Sequence, residues 1–265
     1  LVSEVMAQQT QVSRVVEAWP RFLARFPTPT ALAAATPADV LREWQGMGYD
    51  RRALNLRRAA IVIRDDHDGR VPDDIAALDR LPGIGPYTAR AVAAIAFGRP
   101  VGAVDTNVRR VLTRSLAGSA AADAPAAWIQ AAADAAVDRE RPGDWTHAVM
   151  DLGATICRPG RPRCGDCPLA PWCRWAAEGA ESPPRRAEPR SAGDAEPAFP
   201  STNRWLRGRI VDRLRALPDD AWTTIDAPIG EHDAVAVERA LLALARDGLV
   251  ELEGGATERV RLATA

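Results

Sequence analysis

Lysine is missing from this 265-residue chain, whose 34 basic residues are all arginine. This absence excludes reactions in which a lysine amine forms a Schiff base with a carbonyl carbon. No apolar run approaches the roughly 20 residues that a helix needs to cross a bilayer, and no secretory signal is visible. The chain opens inside an apolar helical pattern, so we expect further residues to precede Leu1. We expect a cytoplasmic protein that makes no contact with a membrane.

Charge is unevenly distributed, although the net charge of the whole chain is only −1. Residues 1–175 carry 22 arginines and 19 acidic residues, a net charge of +3, while residues 176–265 carry 12 and 16, a net charge of −4. A local basic stripe neutralises nucleic-acid phosphates, but solvated helix faces produce the same pattern. The clusters that could form such a stripe are Arg51, Arg52, Arg57 and Arg58; Arg109, Arg110 and Arg114; and Arg158, Arg161 and Arg163.

Apolar residues recur at helical spacing through residues 1–175 and predict a mainly α fold. Thr36-Pro37-Ala38-Asp39 is a strong helix start, because threonine caps helices and proline suits their first position. Residues 181–200 are rich in proline, serine, glutamate and arginine, which indicates a linker.

Two helices and a hairpin are predicted after this linker. Apolar residues at helical spacing between Trp205 and Leu214 indicate the first helix, and Val235–Arg246 indicates the second. Two short strands, Leu249–Leu252 and Arg259–Leu262, flank a Gly-Gly turn. Helices followed by a hairpin resemble a winged helix, which binds DNA or acts as an adaptor between proteins. The acidic balance favours a protein partner for this segment.

All four cysteines fall within 17 residues, in the pattern Cys157-x6-Cys164-x2-Cys167-x5-Cys173. The two residues between Cys164 and Cys167 are typical of a metal loop, and nothing indicates export, so disulfides are the weaker interpretation. Four thiolates suit zinc or a [4Fe–4S] cluster, and thiolate chemistry alone does not separate the two. The loop after Cys157 carries three arginines that could reach phosphate or remain solvated: Arg158, Arg161 and Arg163.

Two further segments carry candidate functional residues. The glycines of Leu81-Pro82-Gly83-Ile84-Gly85-Pro86-Tyr87-Thr88 could present backbone N–H groups to a phosphate, or could simply connect two helices. Asp105 follows Tyr87 by 18 residues, within Val104–Leu112, and could cap a helix.

The opening segment Ser3–Val12 reads SEVMAQQTQV. On a helix, Glu4, Gln8 and Gln11 would share one polar face, on which an isolated glutamate is normally solvated. The valines expected to face the core from the same helix are Val5, Val12 and Val16.

Together these motifs resemble the helix-hairpin-helix DNA glycosylases that carry an iron–sulfur loop, and the opening segment resembles the MutY-type adenine glycosylase branch. The resemblance covers residues 1–175 in the family's order and approximate spacing. It implies two helical subdomains that flank a DNA cleft, and the 6-2-5 cysteine spacing implies a [4Fe–4S] cluster rather than zinc. The predicted domains are a glycosylase domain at 1–175, a linker at 176–200 and a small winged-helix-like domain at 201–265.

The resemblance also assigns catalytic roles. It implies that the target base is flipped out of the duplex, that Glu4 protonates the adenine ring, and that Asp105 stabilises or traps the oxocarbenium-like sugar. A carboxylic acid does this near neutral pH only where burial raises its pKa, so we expect Glu4 in a dry pocket. Tyr87 and Asn107 are expected to support that pocket by hydrogen bonding.

Tyr87 occupies the position at which endonuclease III enzymes carry a lysine that cleaves the strand through a Schiff base. Tyrosine cannot form one, so the resemblance implies a monofunctional enzyme that leaves an abasic site and disfavours an endonuclease III-type lyase. Glu4 disfavours a mismatch thymine or uracil glycosylase, because a pyrimidine has no ring nitrogen that such an acid would need to protonate. A non-catalytic DNA-binding regulator is disfavoured because Glu4, Asp105 and Tyr87 are all present.

The sequence departs from the family pattern at three points. Two departures from the family pattern are Asp50, where a second aromatic residue is common, and Thr106, where glycine is frequent. The third departure is the lack of a Nudix-like C-terminal domain, which helps to recognise 8-oxoguanine. We expect excision of adenine opposite 8-oxoguanine or guanine in double-stranded DNA, by a monomer associated with a bacterial nucleoid.

The resemblance also implies a set of DNA contacts, of which Gln9, Thr10 and Tyr49 contact the base opposite adenine. The implied DNA contacts are Gln8, Gln9, Thr10, Tyr49, Gly83 and Gly85.

Overall fold

The computed structural model describes residues 1–118, 124–179, 198–218, 220–254 and 258–265. The helices, in chain order, are α1 (Val2–Ala7), α2 (Val12–Arg25), α3 (Pro29–Ala34), α4 (Pro37–Glu43), α5 (Arg51–Asp66), α6 (Ile75–Asp79), α7 (Pro86–Phe97), α8 (Thr106–Ala117), α9 (Ala126–Ala136), α10 (Pro142–Thr155), α11 (Arg174–Ala177), α12 (Asn203–Arg215) and α13 (Ala234–Arg246). Strands β1 (Val250–Glu253) and β2 (Arg259–Leu262) form an antiparallel hairpin. Most of the predicted linker, residues 180–197, lies outside the described residues.

The chain divides into two compact units. The first comprises Leu1–Val71, Leu81–Gly83 and the described part of Ala192–Ala265, and the second comprises Pro72–Arg80 and the described part of Ile84–Ser191. In the part of the chain that the structure describes, no helix is long and apolar enough to span a bilayer.

The core of the first unit forms where helices α2 to α5 converge. Thr36 and Asp39 make a reciprocal capping box at the start of α4, as the sequence predicts. The apolar residues that follow at helical spacing, among them Leu41 and Trp44, are fully buried. The ring of Trp44 packs edge-to-face against Phe22 of α2, with the ring centroids 5.8 Å apart.

The C-terminal helices and hairpin belong to this same unit, and they have the order that the sequence predicts. Nη2 of Arg215, at the end of α12, donates to Oδ1 of Asp50 at 2.6 Å, and Nε donates to the carbonyl of Leu41 at 2.8 Å. The backbone N–H of Ala38 donates to the carbonyl of Ala263 at 2.9 Å. Asp50, a departure from the family pattern, therefore forms an ion pair with α12 in which both side chains are nearly buried.

The second unit is built around α8. Its apolar face packs against α9, with Val108, Leu112 and Ile129 buried in one cluster. On another side α8 contacts α10, and the approach is close because a Cβ at Gly153 would lie 2.6 Å from the Cβ of Asn107. The start of α8 is thereby held against α10.

The prediction of one helix through the opening segment is wrong. Helix α1 ends at Ala7, Gln9 has a left-handed backbone (φ 54°), and Gln11 occupies the N-cap position of the separate helix α2. Because α2 starts in a new phase, Val12 and Val16 are 69% and 65% exposed. The valines that face the core are Val5 and Val15 instead.

Candidate active site and cysteine loop

The opening segment is held at the C-terminal end of α1, where a helix leaves its last carbonyls without helical partners. Nη1 of Arg52, from α5, donates to three of these carbonyls, those of Val5 (2.8 Å), Met6 (2.9 Å) and Gln8 (2.6 Å). The guanidinium therefore ends the helix, with Glu4 half-buried one turn earlier.

The other terminal nitrogen of Arg52 joins this helix end to the loop at residues 46–49. Nη2 donates to Thr10 Oγ1 (2.8 Å) and to the carbonyls of Met47 (3.0 Å) and Gly48 (3.0 Å). Thr10 also donates from its hydroxyl to the carbonyl of Met47, at 3.1 Å. Burial lowers the pKa of Arg52 from its ordinary value, and Asp50 offsets part of that effect. An arginine still remains charged in such a site, so all these hydrogen bonds are charge-assisted.

Tyr49 lies in this loop with a left-handed backbone (φ 47°), which is unusual for a bulky residue. The residue is 39% exposed, and two guanidinium groups lie close to its ring, with Arg52 5.7 Å and Arg204 4.1 Å from the ring centroid. Gln9 is exposed beside Thr10. The structure therefore places two of the predicted opposite-base residues, Thr10 and Tyr49, around Arg52.

The glycines of the predicted hairpin have different roles in the backbone. Gly83 has a left-handed backbone (φ +78°), and an added Cβ would lie 2.7 Å from the Cβ of Asn55. Gly85 has an extended backbone and precedes the first residue of α7, Pro86. Tyr87 is the second residue of α7 and is half-buried.

Asp105 caps the N-terminus of α8, as one of the two interpretations of the sequence predicts. One carboxylate oxygen accepts from the backbone N–H of Val108 at 2.7 Å, and the other accepts from Nδ2 of Asn107 at 2.9 Å. The two predicted site residues are therefore in direct contact, and the carboxylate has a fixed orientation at a positive helix end.

A further residue, Arg110, connects this pair to the cysteine loop. It donates to Oδ1 of Asn107 (2.8 Å), to the carbonyl of Gly153 (2.6 Å) and to the carbonyl of Cys157 (2.6 Å). Sequence reasoning assigned Arg110 only to a basic stripe. Its position three residues after Asn107, on the same helix face, was the signal that it could orient the site.

All four cysteines are free thiols and line one cavity of about 310 Å³, a volume that includes the open space at its mouth. Arg114 is 8% exposed and donates to Sγ of Cys157 at 3.5 Å and to the carbonyls of Arg158 (2.7 Å) and Pro159 (2.9 Å). Its guanidinium also lies over the ring of Trp175, 4.9 Å from the centroid.

The cavity is lined by four cysteine thiols, a donor set that either a [4Fe–4S] cluster or a zinc ion can use. Burial, followed by the other three thiols, raises the pKa of Cys164, while Arg114 lowers it.

The basic clusters of the sequence divide into outward and inward arginines. Arg158, Arg161 and Arg163 are exposed, as their predicted role requires. The inward arginines instead donate to backbone carbonyls, so neither a DNA stripe nor a solvated face describes them. The inward arginines are Arg52, Arg57, Arg110 and Arg114.

Comparison with known proteins defines the class of this chain. Residues 2–128 match the HhH-GPD superfamily of base excision DNA repair proteins. Two solved structures are similar, each at 27% identity over 67% of this chain: a thermostable thymine-DNA glycosylase (TM-score 0.63, 82% of that chain) and endonuclease III in a non-covalent DNA complex (TM-score 0.58, 83% of that chain).

The sequence relatives narrow that class. The chain is 44% identical to the adenine DNA glycosylase of Mycobacterium tuberculosis (strain CDC 1551 / Oshkosh) over 263 residues. The matched segment covers 94% of this chain and 81% of that protein. The chain therefore belongs to the adenine DNA glycosylase family, which confirms the family and the helix-hairpin-helix glycosylase fold that the motifs predict.

Proposed function

We propose that this chain is a monofunctional DNA glycosylase that excises adenine mispaired with 8-oxoguanine or guanine. The observation that carries the proposal is its 44% identity, over nearly the whole chain, to a protein named adenine DNA glycosylase. The lack of lysine supports the monofunctional part, since no side-chain amine is present to form a Schiff base with the sugar. The product is an abasic site in an unbroken strand.

Glu4 is proposed to donate a proton to a ring nitrogen of the flipped adenine. The bond between the base and the sugar C1′ then breaks, and its electron pair leaves with the base. Asp105 presents a fixed carboxylate to the resulting oxocarbenium-like sugar, because Val108 N–H and the Asn107 amide orient both of its oxygens. Water adds to C1′ and releases a proton, which completes the abasic site.

Double-stranded DNA with a mismatched or damaged base pair is the proposed partner, bound by a monomer in the bacterial nucleoid. The exposed position of Arg158, Arg161 and Arg163 supports phosphate contacts, as does the similarity to a structure named as an endonuclease III–DNA complex. Gly83 and Gly85 are proposed to bind a phosphate through backbone N–H groups. A protein partner for the C-terminal segment remains a prediction from its acidic balance.

The experiment that tests this function is a panel of duplexes with adenine, thymine, uracil or a damaged base at one position. Each base is placed opposite guanine and opposite 8-oxoguanine, and abasic sites and strand breaks are scored separately. Adenine release without strand breaks is the expected result. Release of thymine or uracil alone would instead favour the mismatch activity named for the thymine-DNA glycosylase whose structure is similar.

Cys157, Cys164, Cys167 and Cys173 are proposed to hold a [4Fe–4S] cluster. The cavity that all four thiols line supports one shared site, and the 6-2-5 cysteine spacing, which resembles the family's cluster loop, supports the cluster over zinc. Such a cluster would supply a structural cross-link, which fixes the loop that carries the exposed arginines. Base hydrolysis involves no electron transfer, so a redox role is not required.

Purified protein should be brown and contain about four irons per chain. Colourless protein with stoichiometric zinc and full activity would contradict the cluster. Reconstitution with iron and sulfide under anaerobic conditions, followed by ultraviolet–visible absorption, distinguishes a lost cluster from a site that never binds one.

A further inference from the structure

Tyr49 is contacted by the C-terminal part of the chain through Arg204. Nη1 of Arg204 donates to the hydroxyl oxygen of Tyr49 at 2.6 Å, and its guanidinium lies 4.1 Å from the ring centroid. Arg204 itself is exposed at the start of α12 and also lies 5.5 Å from the ring centroid of Phe199, which is 56% exposed. Tyr49, Arg204 and Phe199 therefore form one exposed aromatic–arginine stack, which we call the Tyr49 stack.

The backbone under this stack is held tightly. A bulky residue with a positive φ is strained, and such strain persists only where the surroundings fix it. Arg52 fixes the carbonyls of Met47 and Gly48 on one side of Tyr49, and Arg215 pairs with Asp50 on the other. The ring itself is partly exposed, so Arg204 is the contact that limits its motion from the solvent side.

Helix α12 is anchored strongly enough to serve as that support. Its first turn is capped by the Thr202 hydroxyl, which accepts from the backbone N–H of Trp205 at 3.2 Å. Trp205 stacks on His232 with centroids 5.9 Å apart, and at the far end of the helix Arg215 is nearly buried. Arg204 therefore extends from a fixed helix end to the Tyr49 ring.

We propose that Arg204 is a positioning residue that holds the Tyr49 ring for stacking on the purine opposite the excised adenine. This inference rests on the proposed function. It makes α12 part of opposite-base recognition. A ring held in place by a guanidinium loses less conformational entropy when a base stacks on it than a freely rotating ring does.

The test measures dissociation constants for duplexes in which a non-hydrolysable 2′-fluoro adenosine lies opposite guanine or opposite an abasic-site analogue, which offers no base for the ring to stack on. Arg204→Ala is expected to lower the ratio of the two affinities by about tenfold, because it removes a cation–π contact and a charged hydrogen bond. Arg204→Lys keeps the charge and a donor but loses the planar stacking, so it should recover part of the ratio. Arg209→Ala is the matched control, since it removes another exposed arginine of α12, which forms an ion pair with Asp212 of the same helix.

A second variant pair separates positioning from general stability. In a Tyr49→Ala background, Arg204→Ala should cause no further change in the affinity ratio, because its effect acts through the ring. An equal loss of affinity for both duplexes, or the same tenfold change in the Tyr49→Ala background, would overturn the proposal. The thermal midpoint of each variant shows whether folding has been lost.

Failure of the proposed function gives a different result. If the parent releases no adenine from hydrolysable duplexes with guanine or 8-oxoguanine opposite, the function is wrong, whatever the affinity ratio shows. If the parent releases adenine and Arg204→Ala leaves the affinity ratio unchanged, the function stands and the role of Arg204 is wrong.

Discussion

The two units each contain a junction built on inward-facing arginine, but the junctions differ in the groups that surround them. In the first unit, Arg52 donates to six oxygen atoms, and every one of them belongs to the protein. In the second unit, Arg110 and Arg114 hold the turn after Cys157, while the four thiols of that loop face a shared cavity. The terminal nitrogens of Arg52 donate to oxygens of the protein, while its Nε lies buried without a partner among the described residues. The thiols of the second junction line a cavity in which we propose a bound cluster.

This difference shows why arginine suits both places. A guanidinium carries five N–H donors in one plane, so it can end a helix and join two loops at once. A lysine ammonium has three donors at a single point and could not reach the acceptors around Arg52. A chain without lysine therefore loses amine chemistry but keeps strong backbone anchors.

The largest expected effect separates the chemistry of the opening segment from its role in the fold of the first unit. Glu4→Gln should reduce adenine release by about 10²–10⁴-fold, because the amide cannot deliver a proton. Duplex affinity and the unfolding midpoint should change little, since the amide keeps the size of the carboxyl and much of its hydrogen bonding. Single-turnover assays measure the rate, and Glu17→Gln, an exposed glutamate of α2, is the control. A Glu4→Gln rate within a few-fold of the parent would remove Glu4 from the mechanism.

The next largest effect should come from breaking the first junction itself. Arg52→Met is expected to lower the free energy of unfolding by about 3 kcal/mol or more, since it leaves several buried carbonyls without donors. Urea denaturation measures the change, and the iron content per chain should stay the same. Arg51→Met is the matched control, because the Arg51 side chain is mostly exposed. Equal destabilisation by both variants would show that the Arg52 junction is not special.

Breaking the second junction should affect the retention of iron more than the stability of the fold. Arg114→Met removes the donor to Cys157 and to two carbonyls of the loop, so iron should be lost faster to a chelator. We expect a several-fold faster loss of the visible absorption band, with a smaller shift in urea midpoint than Arg52→Met causes. Arg174→Met, an exposed arginine of α11, is the control. Unchanged iron release would detach Arg114 from the proposed cluster.

Tyr87→Lys is expected to gain a weak strand-cleaving activity. An amine at this position of α7 should form a Schiff base with the sugar and cleave the strand, which borohydride would trap as a covalent adduct. Position 87 is half-buried, so desolvation should lower the pKa of the amine and keep part of it neutral. Ala96→Lys places an amine at an exposed position of the same helix and should give no adduct. An adduct from the lysine-free parent would contradict the monofunctional proposal.

The smallest effect should come from the exposed arginines of the cysteine loop. Arg161→Ala should weaken duplex affinity a few-fold and reduce the salt dependence of binding by about 0.9 in the log–log slope, the value for one phosphate contact. Arg139→Ala, an exposed arginine outside the loop, is the control. Identical slopes for the parent and Arg161→Ala would place Arg161 away from phosphate.

Features fixed by neighbouring residues could be predicted from the sequence. The capping box at Thr36, the two C-terminal helices and the hairpin all depend on local pattern, and each prediction is confirmed. The role of Asp105 as a helix cap is also confirmed, for the same reason. The catalytic roles of Glu4 and Asp105 came from resemblance and stay predictions.

Features fixed by distant residues could not be predicted. The break after Ala7 contains no glycine or proline, so the pattern indicated a continuous helix. Its carbonyls are instead held by Arg52, more than forty residues later. The same holds for Tyr49, whose partner Arg204 is 155 residues away in the chain.

The ion pair between Arg215 and Asp50 limits how this protein can be shortened or recombined. A fragment that stops at the predicted boundary of residue 175 would keep the Asp50 carboxylate and the Leu41 carbonyl but lose the guanidinium that both bind. The carboxylate would then have to take up water or a proton in a partly covered site. Any foreign C-terminal module fused to the helical units would need to supply a cation at that point, or Asp50 would need replacement by an uncharged residue.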